Sequence, residues 1–352
     1  MLPIDRLTPR VSMAAPDSIG PADTTGRDQE VVAWLALSTI DGVGYWTLRG
    51  LSESTPSWKG VLKAGTRDEF LELVRTAGGK PRLRHESESW EETQNRLWAA
   101  GKTLFRHLSA RGIALILAGD PLFPPLLLDA PDPPAWIFVE GNPKALRLPS
   151  LALVGTRRPS ADGLHLATHL GHSLPLFGAA TVSGLAEGID QIAHELSIRH
   201  GVPTVAVLGT GILRDFPAGS EELRRRIVEN DGAIISEYLP EQTYSAETFV
   251  RRNRLQAALS RVVIPVEWSI KSGTAHTVDN AMKIGRPLVC PRLPDWNNRP
   301  ELLFAASRGA EIVTIPGEEQ RLVGLIRRCI HGTVEPVRRN QLQLFLEEDG
   351  PE

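Results

Sequence analysis

The sequence is poor in cysteine: it has two in 352 residues, and Cys290 and Cys329 lie far apart without CxxC spacing. This spacing indicates neither a disulfide framework nor a zinc site. No apolar run reaches the roughly 18–20 residues that a membrane-spanning helix needs. Residues 11–28 also lack the apolar centre of a secretory signal. We therefore expect a cytoplasmic protein without a bound metal.

Neither sign of charge dominates the chain, whose formal net charge is −3. Any contact with a nucleic acid would therefore have to come from local basic patches rather than from a general positive excess. The hydrophobic fraction of 41% is sufficient for a buried core, and the length exceeds that of one typical domain. We expect two domains with flanking tails.

The residue pattern divides the chain into four segments. Residues 1–28 are polar and lack periodicity, which predicts a disordered tail. Residues 29–110 show helical patterns on both sides of a Gly-Val-Gly turn, which predicts a small helical domain. For residues 111–330 we predict an α/β domain that begins with a proline-rich connector, in which short strands within 112–150 lie against the rest of the domain. For residues 331–352 we predict a flexible tail.

From residue 151 onward, short apolar runs alternate with helical patterns. This alternation predicts an extended Rossmann-like parallel sheet, with helices on both faces and ligands at the carboxyl ends of the strands. The predicted strands are 151–154, 179–183, 203–208, 232–236, 261–267, 287–290 and 310–314. The predicted helices lie near 160–174, 189–200, 219–230, 250–260, 274–285 and 300–308. Pro265 indicates that its strand lies at an edge or contains a bulge.

Three strand–glycine–helix turns follow one another in this domain. Glycine lets a backbone approach a ligand closely, and helix N-termini offer free N–H groups to phosphate. We therefore expect one rim that faces a nucleotide or a nucleic-acid backbone. The rim residues are Gly155, Thr156, Arg157, Ser183, Gly184, Gly188 and Gly209. The alternative is that Gly155 only forms a turn and that the neighbouring arginines are solvated.

The segment 249–261 holds four arginines and no acid. If its helix begins near Val250, Arg251 and Arg252 occupy the first turn, where each exposed cation opposes the helix dipole by about 0.3–1 kcal/mol. A bound phosphate would reverse that sign, whereas the alternative is a solvated basic face. Combined with the glycine rim, the segment favours phosphate binding.

A second phosphate-binding candidate is the run Lys271, Ser272, Gly273 and Thr274, which follows a predicted strand and opens a helix. It resembles half of a P-loop, but the lysine precedes the glycine and the complete G-x-x-x-x-G-K-[ST] motif is missing. We therefore expect phosphate contacts here without ATP hydrolysis.

Asp190 and His194 lie four residues apart, on one face of a predicted helix. They form either an acid–base pair or part of a local hydrogen-bond arrangement that holds the loop. We favour the local hydrogen bond, because no nucleophile motif such as G-x-S-x-G lies nearby.

Together these motifs resemble those of the DNA-processing protein A family, also called DprA or Smf. The matching runs include Val154-Gly155-Thr156-Arg157, Ser183-Gly184-Leu185-Ala186, Gly188-Ile189-Asp190, Phe249, Arg252-Asn253-Arg254 and Ser272-Gly273-Thr274. The resemblance implies a Rossmann-like domain preceded by a helix-hairpin-helix or SAM-like domain. It also implies a homodimer that binds single-stranded DNA, hands it to the RecA recombinase, and is neither an enzyme nor dependent on a cofactor.

The same resemblance implies the side chains that line the groove for the DNA strand. These are Arg157, Ser183, Gly184, Arg252, Asn253, Arg254 and Lys271. Cations that neutralise phosphates release counterions, so the affinity should fall steeply with salt. Backbone contacts carry no base identity, so sequence preference should be slight.

The C-terminal tail carries a further motif, Gln341-Leu342-Gln343-Leu344-Phe345, which resembles the pentapeptide that binds the bacterial sliding clamp. The implied anchors are Gln341, Leu342, Leu344 and Phe345, which would become ordered on binding an apolar pocket. The alternative is a last amphipathic turn that packs on the domain.

A second functional hypothesis is an enzyme or sensor that acts on a small nucleotide. Related Rossmann-like folds hydrolyse nucleotide N-glycosidic bonds with a Pro-Gly-Gly-x-Gly-Thr turn and a glutamate. This chain has only Ser272-Gly273-Thr274, and Glu187 or Glu237 would have to supply the acid.

Overall fold

The structure is a computed structural model that describes residues 24–83 and 87–332. The helices in these residues are α1 (Thr24–Ser38), α2 (Tyr45–Ser54), α3 (Trp58–Leu62), α4 (Arg67–Thr76), α5 (Trp90–Ala110), α6 (Ala161–Phe177), α7 (Ile189–Arg199), α8 (Glu221–Glu229), α9 (Ala246–Leu259), α10 (Gly273–Lys283), α11 (Pro300–Ser307) and α12 (Glu319–His331). The strands are β1 (Ile113–Leu117), β2 (Trp136–Gly141), β3 (Ser150–Gly155), β4 (Ala180–Ser183), β5 (Thr204–Val207), β6 (Ala233–Ser236), β7 (Val262–Val266), β8 (Val289–Arg292) and β9 (Glu311–Thr314).

The strands form a seven-stranded sheet in the order β1-β2-β6-β5-β4-β3-β7. The strands from β6 to β7 pair in parallel, whereas β2 is antiparallel to both β1 and β6. A parallel pair, β8 and β9, joins this sheet through a bridge between Val263 and Leu288. The predicted α/β class with a mostly parallel sheet is confirmed. Each predicted strand and helix between 151 and 314 overlaps an observed one.

Pro265 lies in β7, whose pairing is one-sided near this residue. On the inner side β7 pairs with β3 along its whole length, whereas on the outer side it meets β8 only at Val263. The Val263 N–H donates outward to the Pro287 carbonyl over 3.0 Å. Along a strand, the N–H groups of every second residue point to the same side, so position 265 faces outward as Val263 does. Position 265 lies beyond the described pairing of β7 with β8. Proline, which has no N–H, therefore removes no hydrogen bond between strands there. The predicted edge position is confirmed.

The predicted connector, residues 112–150, contains short strands as expected, and two of them, β1 and β2, belong to the main sheet. Trp136, Ile137, Phe138 and Val139 are all buried, because both faces of β2 are covered. Ile137 and Val139 enter the core on one face, and Trp136 and Phe138 enter the core on the other.

The helices α1–α5 cover the face of the sheet where Trp136 and Phe138 enter the core. The ring of Trp34 in α1 lies 5.0 Å from that of Trp136 and 5.4 Å from that of Phe138. Tyr45, at the start of α2, packs 5.4 Å from Tyr238, which follows β6. The helical segment is therefore packed on the sheet through aromatic side chains.

The described structure begins earlier than the predicted helical domain and contains one further helix near its C-terminal end. Helix α1 begins at Thr24, within the predicted tail 1–28, and α12 packs against β7, β8 and β9 where no helix was predicted. The proposed clamp motif at 341–345 lies outside the described residues. Among the described helices, none has the length and apolarity that a bilayer crossing requires.

Candidate nucleic-acid interface

A pocket of about 460 Å³ opens at the carboxyl end of β3. This is the edge of the sheet where the strand–helix alternation predicts a ligand. Its walls come from the turn after β3, one face of α9 and the first turn of α10. The polar groups in its wall include Arg157, Asp190, Arg252, Asn253, Gln256 and Thr274.

Arg252 supplies a buried cation to this pocket, although only 4% of the residue is exposed. Its Nη1 donates to the carbonyl oxygens of Gly184, over 2.7 Å, and of Val207, and its Nε donates to Asn253 Oδ1 over 3.1 Å. Buried guanidinium groups usually pair with a carboxylate. None of the ion pairs among the described residues includes Arg252. Burial lowers the pKa of Arg252 to about 10, so the group is still cationic at neutral pH.

Asp190, in the first turn of α7, holds the loop that carries Gly184. Its Oδ2 accepts a hydrogen bond from the Gly184 N–H over 3.1 Å. Burial raises the pKa of Asp190, and the charge of Arg252 opposes that rise. His194 makes a different contact, with its Nδ1 2.8 Å from Thr204 Oγ1. The prediction of a local hydrogen bond that fixes the loop is confirmed for Asp190, whereas His194 contacts the start of β5 instead.

Besides α9, which has Glu247 in its first turn, three helices begin near the pocket, and their N-termini differ in charge. At α6 the Glu267 carboxylate accepts from Ser160 N–H over 2.8 Å and from Ser160 Oγ over 2.5 Å. Helix α7 has Asp190 in its first turn. Helix α10 has no acid in its first turn, and the side chain of its N-cap residue Ser272 makes no capping bond. The positive end of α10 is therefore the most open of the three to an external anion.

The structure brings most of the sequence-predicted residues to this pocket. The predicted residues in its wall are Gly155, Thr156, Arg157, Arg252, Asn253, Ser272, Gly273 and Thr274. Two of them are joined to backbone across the pocket: Thr274 Oγ1 donates to the Gly155 carbonyl over 2.9 Å, and Asn253 Nδ2 donates to the Gly273 carbonyl over 2.9 Å. Lys271 is exposed on the loop before α10, outside the pocket wall.

The remaining rim residues support the pocket from behind. Ser183 is fully buried and donates to the Leu153 carbonyl over 2.6 Å. Gly188 has a φ of +82°, and a Cβ there would lie 2.5 Å from the Thr156 carbonyl oxygen. A Cβ on Gly184 would lie 2.4 Å from Arg252 Nη1, and one on Gly209 would lie 2.4 Å from the Phe249 ring. The three glycines are therefore needed because a side chain would collide with the surrounding protein, rather than because a ligand approaches the backbone there.

The structure does not place Arg254 at the predicted phosphate-binding rim. Its Nη1 and Nη2 bind the two oxygens of Glu237 over 2.5 and 2.6 Å, and its Nε donates to the Asp132 carbonyl over 2.7 Å. Tyr45 donates to the same Glu237 over 2.9 Å. Side chains two apart on a helix face different sides. Arg254 therefore joins α9 to the helical segment, while Arg252 faces the pocket.

The sequence also contains a signal for two pocket residues that were not among the predicted site residues, Phe249 and Gln256. Phe249, Arg252, Asn253 and Gln256 have the spacing i, i+3, i+4 and i+7, which places them on one face of α9. All four line the pocket. Gln256 completes this face and accepts a hydrogen bond from Thr277 Oγ1 over 3.3 Å.

Comparison with known proteins identifies the family. The sequence model of DNA recombination-mediator protein A matches residues 114–314. The chain belongs to this family. Protein Smf of Escherichia coli (strain K12) is 35% identical over 205 residues, which cover 58% of this chain and 55% of that protein. Protein Smf of Synechocystis is 29% identical over 333 residues, which cover 92% and 78%. DNA processing protein DprA of Streptococcus pneumoniae is 36% identical over 167 residues, which cover 47% and 58%.

Solved structures of the DprA/Smf family have the same fold. The X-ray structure of DprA from Streptococcus pneumoniae superimposes with a TM-score of 0.58 at 25% identity, covering 81% of this chain and 94% of that one. DprA from Helicobacter pylori, described with its single-stranded DNA binding mode, gives a TM-score of 0.54 at 27% identity, covering 62% and 97%. The family predicted from the motifs is confirmed.

Proposed function

We propose that this protein binds single-stranded DNA in the pocket between β3, α9 and α10 and acts as a recombination mediator. The observation that carries the proposal is Arg252, a buried guanidinium in the pocket wall that belongs to none of the ion pairs among the described residues. The nearby Asp190 carboxylate interacts with it through its charge but accepts its hydrogen bond from the Gly184 N–H. A phosphate of the strand supplies an anion with which Arg252 can pair directly. The open N-terminus of α10 stabilises the same anion.

The mouth of the pocket adds further cationic groups. Arg157 is exposed and lies in the pocket wall, and Lys271 is exposed on the adjoining loop. These side chains meet phosphates without reading bases, so the affinity should fall with salt and depend little on sequence. A single strand can bend into a concave pocket within a few nucleotides, whereas a stiff duplex cannot follow such a path at low energy. The binding mode described for the Helicobacter pylori relative supports the same ligand.

The partners follow from the family resemblance. We propose that a homodimer in the cytoplasm loads a RecA-type recombinase on the bound strand, and that the motif at 341–345 recruits the sliding clamp. A strand-exchange assay with purified recombinase tests the first interaction. Binding of the full chain to an immobilised clamp, compared with a Leu344→Ala/Phe345→Ala variant, tests the second. Equal clamp binding by both chains would contradict recruitment through this motif.

We propose that the protein binds DNA and is not an enzyme. Hydrolysis of an N-glycosidic bond would need a carboxylate in the pocket, but neither Glu187 nor Glu237 lines it. Glu237 is buried against Arg254 and Tyr45. Asp190 does line the pocket, but it holds the Gly184 N–H.

One experiment separates these functions. Labelled single-stranded and double-stranded oligonucleotides of one sequence are titrated with the protein at several salt concentrations, and nucleoside monophosphates are incubated with it in parallel. We expect tighter binding of the single strand, with an affinity that falls as salt rises, and no release of free base. Equal binding of both DNA forms, or rapid base release, would contradict the proposal.

A further inference from the structure

Three aromatic rings form a surface cluster beside the pocket. Phe216, Tyr244 and Phe249, here called the aromatic platform, have ring centroids 4.5 Å apart for Phe216–Tyr244, 5.0 Å for Phe216–Phe249 and 5.7 Å for Tyr244–Phe249. Tyr244 is 58% exposed, the largest exposed fraction of any large hydrophobic residue in the described chain. The platform therefore presents a tyrosine ring to solvent, supported by two other rings.

The platform is continuous with the pocket. Phe249 lines the pocket, and the Arg157 guanidinium lies 5.2 Å from its ring centroid. Phe249 in turn fits against Gly209, where a Cβ would come within 2.4 Å of the ring. Phe249 thus joins the other two rings to the pocket, with the Arg157 cation on its pocket side.

Helix capping explains part of this arrangement. Tyr244 immediately precedes Ser245, the N-cap of α9, and Phe249 is the fourth residue of the helix. An apolar pair at these two positions is a hydrophobic staple, which sets the path of the chain into the helix. A staple needs only an apolar contact. The staple does not explain why residue 244 is aromatic, or why so much of its side chain is exposed to solvent.

We infer that Tyr244, supported by Phe216, is a stacking site for a nucleobase of the DNA strand outside the pocket. The inference rests on the proposed function. Aromatic side chains next to a cationic groove are a common means of holding single-stranded nucleic acid, and every base has a π-face that can stack on them. The cations near the pocket hold phosphates, and Tyr244 adds an apolar contact that tolerates any base.

Substitutions at Tyr244 separate stacking from the staple. Tyr244→Leu keeps an apolar staple and removes the ring, whereas Tyr244→Phe keeps both. For a single-stranded oligonucleotide we expect the Leu variant of the full chain to bind roughly five-fold to a hundred-fold more weakly, the range for loss of one base–aromatic stack. The Phe variant should bind as the native chain does. Leu176→Ala, an exposed apolar residue in the last turn of α6, is the control for loss of surface hydrophobicity.

An abasic oligonucleotide of the same length provides the decisive comparison, because it keeps the phosphates and lacks the bases. The native chain should lose affinity when the bases are removed, and Tyr244→Leu should lose much less. A Leu variant with native affinity, or one that is weakened but keeps the full abasic loss, would overturn the stacking site. If the folded native chain ignores single strands altogether, the proposed function itself fails, which is a distinct outcome. Thermal melts of each variant confirm that it is folded.

Discussion

Arg252 and Arg254 lie two residues apart on α9 and make contacts on different sides of the helix. Arg252 binds the carbonyl oxygens of Gly184 and Val207 in the pocket wall, whereas Arg254 holds both oxygens of Glu237 in the core. Residues two positions apart in an α-helix are separated by about 200° around the helix axis. One basic run therefore supplies a ligand-binding group and a structural group, and substitutions at the two positions should have different consequences.

Arg254→Gln should mainly reduce stability. The change leaves Glu237 buried without its bidentate partner, and breaking a buried pair in this way costs about 3–5 kcal/mol of unfolding free energy. Urea denaturation measures the loss. The control is Arg225→Gln on α8, because Arg225 pairs with Glu222 and Glu229 at the surface, where ion pairs contribute little. An Arg254 variant as stable as this control would contradict the structural role.

The contrast between these arginines shows what the sequence can predict. The strands and helices from β3 to β9 were predictable, because short apolar runs alternate with amphipathic segments. The side of α9 that each arginine faces was not, because it depends on partners far along the chain. Glu237 is bonded to Tyr45, 192 residues away, and to Arg254. Likewise, the pattern of 112–150 indicated short strands in a connector, but not that they join the main sheet, because that depends on the pairing of β2 with the distant strand β6.

Gly184→Ala should distort the pocket and weaken DNA binding. The added Cβ would lie 2.4 Å from Arg252 Nη1, 2.5 Å from Gln256 Nε2 and 2.6 Å from Asp190 Oδ2. These groups must shift, so both the affinity for single-stranded DNA and the melting temperature should fall. Gly324→Ala on α12 is the control, since a Cβ there meets only Arg328 Nη1 at 3.9 Å. Native affinity in folded Gly184→Ala would contradict the described packing.

His194 should make stability depend on pH. Burial, together with the charge of Arg252, lowers its pKa to about 3 from the usual 6.5. Because the folded pKa is depressed, this residue's contribution to stability is complete above pH 6.5. The contribution is lost as the pH falls toward 3, by about 1.4 kcal/mol per pH unit. Unfolding free energies of the native chain and His194→Gln over this range check the prediction. Parallel pH profiles for the two chains would refute it.

Arg157 and Arg158 form a matched pair for testing the mouth of the pocket. Both are exposed, but only Arg157 lines the pocket. Arg157→Gln should weaken single-strand binding and reduce the slope of log K against log salt by about 0.7, the value for one phosphate of a single strand. Arg158→Gln should leave the slope unchanged. Equal effects of the two substitutions would mean that Arg157 contributes only to the general surface charge and does not contact a phosphate specifically.

The most direct test of the account is the affinity of Arg252→Gln for a single-stranded oligonucleotide, measured by fluorescence anisotropy on protein shown to be folded. The substitution removes the buried cation at the pocket, so we expect binding to weaken about tenfold or more, since a hydrogen bond to a charged group contributes roughly 1.5–3 kcal/mol. Arg225→Gln, which alters a paired surface arginine, should bind as the native chain does. A folded Arg252→Gln variant with native affinity would contradict the assignment of this pocket to DNA.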